Sequence, residues 1–346
     1  NASNQRSIAK AGGIELLVSL LNVEDARAAP KEHSNSSSHS ASVVLDAAKV
    51  QKEMAAALWS MAHNSPENQA AIAKVGGIQP LITMLDGHSV VQCDAAGALW
   101  ALADDEHNRE TIGKMHGIAP LVGLLKTGSP GAQETAAGAL HALAETAENR
   151  ITIADGHPAI GGGIPLLVSL FDGGSDKACE QAAGALISLC VQNVVNQTSA
   201  AHEAVAMLKA HGDSPRAAEH VTQLLRNLAK DPENRSAIAK AGAVPDLVRQ
   251  LECGSDKSMS MAAQGLALIA LKSAETHATV TQELVKLLAS DKAAVRQRAS
   301  EALTDMAADD KNSTTSKAKK SGPSAGVQGV PLVNLLKDGL KDGRVE

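Results

Sequence analysis

Aromatic side chains are almost missing from this sequence: Trp59, Trp100 and Phe171 are all there are, and tyrosine is absent. A core without rings must be assembled from alanine, leucine and valine, which suits helices in close contact. Single-stranded nucleic acid is a poor match, because stacking platforms need aromatic faces. The net charge of −6 adds no general pull on a phosphate backbone, so no nucleic acid is expected. Long apolar runs are missing too. None approaches the ~20 residues that span a bilayer, and no transmembrane segment is expected. Cys93, Cys179, Cys190 and Cys253 are scattered without CxxC spacing. They read as reduced thiols, which points to the cytoplasm, with the nucleus as the alternative. The chain has neither an initiating Met nor a visible signal peptide.

What is present is globular, 44% hydrophobic and 20% charged, and it repeats itself. "NRETIGKMHGIAPLVGLL" starts at Asn108, "NQAAIAKVGGIQPLITML" at Asn68 and "NQRSIAKAGGIELLVSL" at Asn4. The phrase returns as "NRITIADGHPAIGGGIPLLVSL" from Asn149 and "NRSAIAKAGAVPDLVRQL" from Asn234. A catalytic motif is needed once, whereas a recurring phrase marks a building unit. Between copies lies a second segment: "AAALWSMAHNSPEN" (55–68), "AAGALWALADDEHN" (95–108), "AAGALHALAETAEN" (136–149) and "AAGALISLCVQN" (182–193). Its leucines keep helical spacing, as in Leu99 and Leu102 or Leu140 and Leu143. Glycine inside such a helix costs roughly 1 kcal/mol against alanine, so Gly97, Gly138 and Gly184 suggest a close approach by another backbone. This segment is the long third helix of each unit.

The phrase itself supplies two shorter helices. Asn and Ile stand one helical turn apart in every copy, so Ile8, Ile72, Ile112, Ile153 and Ile238 should anchor the first helix. A glycine turn follows at Gly12-Gly13, Gly76-Gly77, Gly117 and Gly242, where positive φ ends a helix. Ser129-Pro130, Ser214-Pro215 and Asp231-Pro232 read as N-caps with proline at the first helical position.

Three helices in about 41 residues, with the combination "NRxxIxxxGGIxxLVxLL … AAGALWxLA", resemble the armadillo repeat. The closest flavour is that of plant and protist armadillo arrays, vacuolar-protein-8-like and U-box-associated. The resemblance implies an all-α fold, a right-handed superhelical α-solenoid over residues 1–346, with about seven repeats and a partial eighth. Residues 22–46 read as a Ser-rich insertion loop, and 309–328 as a flexible Ser/Lys-rich loop. Both chain ends fall inside repeats, so a fragment of a longer protein is expected.

Catalytic and metal readings find little support. His202-Glu203 opens "HEAVA", but a zinc-protease helix would need a second His where Ala206 stands. "GHPAIGGGI" (156–164) lacks the Lys-Ser/Thr of a phosphate loop and reads as a stretched turn. His33 and His39 are too few to complete a metal site. "KAKK" (317–320) reads as a solvated basic loop. No enzyme and no cofactor are expected.

Stacked third helices form the inner wall of a solenoid, which binds extended partners. The aromatic slot of each third helix is Trp59, Trp100, His141, Ile187, Arg226, Ile269 and Thr304. Positions four later and seven earlier project from nearly the same face. In nuclear-import adaptors of the armadillo family, Trp and an Asn four residues on grip a basic peptide. No slot here has that Asn, so an import role fits less well. What remains is a tryptophan pair, Trp59 and Trp100, beside an acidic middle: Asp104, Glu134, Glu145, Glu180 and Glu219, with His63, His141 and Arg226 on the same face. The expected function is a non-catalytic scaffold that binds an extended, basic protein segment. The alternatives are the substrate-recognition array of a ubiquitin ligase and a membrane-associated vacuolar-type scaffold.

Overall fold

The structure is a computed structural model that describes the backbone of residues 2–21, 37–271 and 273–318, and the side chains of 3–21, 47–271 and 273–308. Among the described residues there are nineteen α-helices and no strand; a single isolated bridge joins His157 and Gly161. Packing divides the chain into two units, Asn1–Glu203 and Ala204–Glu346, where the sequence predicts one continuous array.

The first unit holds four three-helix repeats, each a step of an all-α solenoid. They are α1 (Ala2–Lys10), α2 (Gly13–Leu21), α3 (Ser37–Ala62); α4 (Pro66–Lys74), α5 (Ile78–Leu85), α6 (Ser89–Leu102); α7 (Glu106–Lys114), α8 (Ile118–Thr127), α9 (Pro130–Leu143); and α10 (Ala147–Asp155), α11 (Gly163–Gly173), α12 (Asp176–Leu189). The third helices pack in the order α3, α6, α9, α12. Their leucines, Leu58, Leu99, Leu140 and Leu186 among them, are fully buried, as are the anchors Ile72, Ile112 and Ile153. Ile8 departs from the pattern at 47% exposed, since no third helix precedes it among the described residues.

The phrase opens on asparagine for a reason the spacing alone does not reveal. Each internal Asn is buried and donates its side-chain amide to a carbonyl at the end of the preceding third helix. Asn68 bonds Met61, Asn108 bonds Leu102 and Asn149 bonds Leu143. Those carbonyls have no partner within their own helix. Asn149 also reaches the Arg109 carbonyl of the repeat before, at 3.1 Å. The next residue completes the join: Arg109 donates to the carbonyls of Ala103 and Asp104, and Arg150 to those of Ala144 and Glu145. A cation there also complements the negative end of the helix dipole.

The glycine turn is shared between two residues. Gly76 carries φ 81°, whereas a Cβ on Gly77 would fall 2.7 Å from the Ile72 side chain. In the next repeat the positive φ, 59°, belongs to His116. Gly117 is ordinary helical backbone, kept small by the side chains of Ile112 and Ile82 around it. The assignment of that turn to Gly117 is thus corrected to His116. The stretched turn that the sequence suggests over 156–164 spans 156–162, with His157 and Gly161 exchanging backbone hydrogen bonds of 2.9 Å, and α11 starts at Gly163.

The second unit is built from the later part of α13 (Val194–His211), then α14 (Pro215–Lys230), α15 (Pro232–Lys240), α16 (Ala243–Cys253), α17 (Asp256–Ala270), α18 (Ala274–Leu287) and α19 (Ala293–Ala318). Only α15–α17 reproduce the three-helix pattern. In α13, Ala204 and Val205 replace the glycine turn, and the first two helices of the repeat run on as one. The N-caps Ser129, Ser214 and Asp231 each accept from a backbone amide as expected, and Ser175 and Ser255 do the same.

Both proposed insertions are shorter than the sequence predicts. α3 already runs from Ser37 and α19 continues to Ala318, so 37–46 and 309–318 are helical. In each case the serine-rich stretch directly continues a repeat helix, and continuing a helix is cheaper than starting one. Residues 22–36 and 319–328 lie outside the described residues.

Candidate functional site

Three rows of side chains cross the third helices of the first unit. The middle row is Trp59, Trp100, His141 and Ile187, all half-buried. Each ring lies on the glycine of the next helix. A Cβ on Gly97 would sit 2.6 Å from the Trp59 ring, and one on Gly138 equally close to the Trp100 ring. The His141 ring covers Gly184 in the same way. The glycines therefore make room for rings, which corrects the expectation of a close backbone. His141 Nδ1 is held 3.1 Å from Gln181 Oε1.

Just past the C-terminal ends of α3, α6 and α9 lie His63, Asp104 and Glu145, all exposed. Burial pushes the Asp104 carboxyl above the ordinary aspartate range; nearby His63 pulls it back, Glu145 pushes it up, and Arg109 pulls it back. Glu145 is already paired with Arg109 at 3.2 Å.

Two turns the other way lie Lys52, Cys93, Glu134 and Glu180. Burial raises the Cys93 thiol, and Asp94 adds to the effect. Glu134 accepts from Ser175 Oγ at 2.9 Å and lies 3.9 Å from Lys177. Glu180 is exposed. The first unit thus brings together Trp59, His63, Trp100, Asp104, Glu134, His141, Glu145 and Glu180, whereas Glu219 and Arg226 belong to the second.

In the second unit, Arg226 lies against Gly265 of α17 and donates to Gln264 Oε1 at 2.9 Å. Glu219 is ion-paired with Lys257. The slot of α17 is one residue off the sequence assignment: Ile269 is fully buried. By the spacing that separates Gly138 from His141, the slot after Gly265 is Leu268. Leu268 lines a shallow depression of about 370 Å3 with Lys230, Gln264, Ala267, Asp305 and Ala308.

Sequence reasoning missed the in-chain cations. Lys177 and Lys257 each stand in a "GSDK" stretch, 174–177 and 254–257, and each pairs with a carboxylate of the preceding third helix. The repeated tetrapeptide was the available signal. Among the described residues no cluster of three or more His, Cys, Asp or Glu is placed to hold a metal ion, and no helix is long and apolar enough to cross a membrane.

Comparison with known proteins agrees with this geometry. The model of the armadillo/beta-catenin-like repeat matches residues 65–104 and 105–144, the span of α4–α6 and of α7–α9. The crystal structure of an engineered protein is similar over 89% of this chain and 81% of its own, at 28% identity and a TM-score of 0.56. A designed armadillo repeat protein is similar over 85% and 99%, at 19% identity and a TM-score of 0.46. Another, in complex with the peptide (KR)4, covers 85% and 99% at 18% identity and a TM-score of 0.45. No curated protein matches. Residues 65–144 thus match two armadillo repeats, and helix triplets of the same build precede and follow them in an all-α solenoid.

Proposed function

We propose that this protein is a non-catalytic scaffold that binds an extended protein segment across the third helices of its first unit. The observation that carries the reading is the row of half-buried rings, Trp59, Trp100 and His141, each laid on a glycine of the next helix. Large side chains with one exposed face, at regular steps, offer repeated apolar and cation–π anchors. Two exposed carboxylates, Asp104 and Glu180, flank them and favour basic residues in the partner. Glu134, Glu145 and Glu219 contribute less, because Lys177, Arg109 and Lys257 already neutralise them. The scattered cysteines of the sequence suit a cytoplasmic setting, with the nucleus second.

The test compares partners captured from a cell lysate by the parent and by a Trp100→Ala, Glu180→Lys double variant, after circular dichroism has shown equal helicity. A partner held by the parent and lost by the variant supports binding on this face. A partner retained equally by both would refute it.

A further inference from the structure

The face of the first unit changes character along its length. In the row that holds His63, Asp104 and Glu145, the fourth position is Val191, 43% exposed. In the slot row, Ile187 stands where the earlier repeats have rings. Past α12, at the start of α13, Val194 and Val195 are exposed at 73% and 77%. The residue before the repeat's Asn, here Val195, is Ser3, Glu67, His107, Glu148 or Glu233 in the other copies. Four aliphatic side chains thus fall within residues 187–195, at the α12 end of the first unit.

Available charge is just as local. Glu145 and Glu134 are paired within the chain. Asp104, two residues past the end of α6, and Glu180 on α12 make no salt bridge among the described residues, and both are exposed.

Resting on the scaffold reading above, we propose that the first unit selects a cation–aliphatic pattern in its partner: a Lys or Arg against Asp104 and the Trp100 ring, and an aliphatic residue against Ile187 and Val191. A second cation next to the aliphatic residue faces Glu180. The spacing follows from helix packing. Neighbouring helix axes lie about 8–10 Å apart, so the two steps from α6 to α12 span about 16–20 Å. An extended segment advances about 3.3 Å per residue and turns successive side chains to opposite sides. Asp104 and Val191 lie in one row, so their partners stand an even number of residues apart, about six. Glu180 lies in the opposite row, so its partner is the immediate neighbour of the aliphatic residue.

The probe is a random peptide library of about twelve residues, long enough in extended form to cross all of these helices. It is selected on the full chain, and the enriched sequences are titrated by the emission of the two tryptophans. The expected winners carry Lys or Arg about six residues from a Leu, Ile or Val that has a basic neighbour. Val191→Asp weakens their binding about tenfold and leaves variants with Ser in place of the aliphatic residue unchanged. Winners that are basic without an aliphatic residue, or indifferent to Val191→Asp, overturn this pattern while the scaffold reading stands. Winners that ignore Trp100→Ala with Glu180→Lys, or a library with no winners, overturn both.

Discussion

The second and fifth repeats start alike and then part. Asn68 donates to the carbonyl of Met61 and Asn196 to that of Leu189; Gln69 and Gln197 likewise bond Ala62 and Cys190. Eight places after its Asn, one chain has Gly76 and the other Ala204. Gly76 adopts φ 81° and the chain turns into α5. Ala204 stays helical and α13 runs on to His211. His116 at the same place of the third repeat still takes φ 59°; Ala204 does not enter the left-handed region, and the helix, already nucleated, continues. The division between the two units falls between Glu203 and Ala204, at that same place. Docking of the second half of α13 is then handled differently. Arg249 donates to the Leu208 carbonyl and Gln250 to that of Gly212, a join made from α16 that uses long side chains.

The sharpest way to break this comparison is at the asparagines. Asn149 bridges two repeats through Leu143 and Arg109, whereas Asn196 has one such carbonyl partner, Leu189. Asn149→Ala should cost about 2–3 kcal/mol and Asn196→Ala about 1–2, since the first loses two side-chain hydrogen bonds to carbonyls and the second loses one. Chemical denaturation with both variants side by side checks the ranking, and equal costs would mean that the bridge to Arg109 contributes nothing. The next effect exchanges the turn residues. A Cβ on Gly76 meets open space, so Gly76→Ala isolates the left-handed cost of about 1–2 kcal/mol. Ala204→Gly should cost about 1 kcal/mol as a glycine inside a helix. If Gly76→Ala were neutral, the missing glycine would not explain the fused helix.

Most of the fold was legible because the repeat states it several times over. The Asn–Ile spacing, the small-residue stretch and the leucine periodicity each fix one helix, and internal copies confirm one another. What stayed hidden were pairings between repeats. The contact of Trp59 with Gly97 and the pairing of Glu134 with Lys177 join residues about 40 positions apart, and periodicity within one helix carries no information on which neighbour fills a gap. The slot in α17 was misread because "AAQGLALIA" holds an extra apolar residue: Leu268 and Ile269 both suit a helical pattern, and only burial separates them. The candidate face was therefore legible as a set of positions, and its free charge was not, since the cations that neutralise it, Lys177, Lys257 and Arg109, come from neighbouring helices.

The smallest expected effect concerns two aspartates placed differently in the two units. Asp104 is exposed beside His63 and Glu145, while Asp246 is 8% exposed against Lys209 at 3.9 Å. Burial raises both carboxyls, and in Asp246 it outweighs the opposing pull of Lys209 and then Arg249. A carboxyl whose folded pKa lies above its unfolded value binds its proton more tightly when folded. Its ionisation therefore lowers stability above the folded pKa, and that loss is recovered as pH falls through the folded pKa to the unfolded one. Asp104→Asn and Asp246→Asn should each stabilise slightly at neutral pH, by no more than the ~0.5 kcal/mol of ordinary surface changes for Asp104. In mild acid, below both pKa values, the advantage disappears. Thermal unfolding at neutral pH and in mild acid measures the difference. A loss at neutral pH for Asp246→Asn would show that the pairing with Lys209 outweighs burial, reversing the order of the two causes.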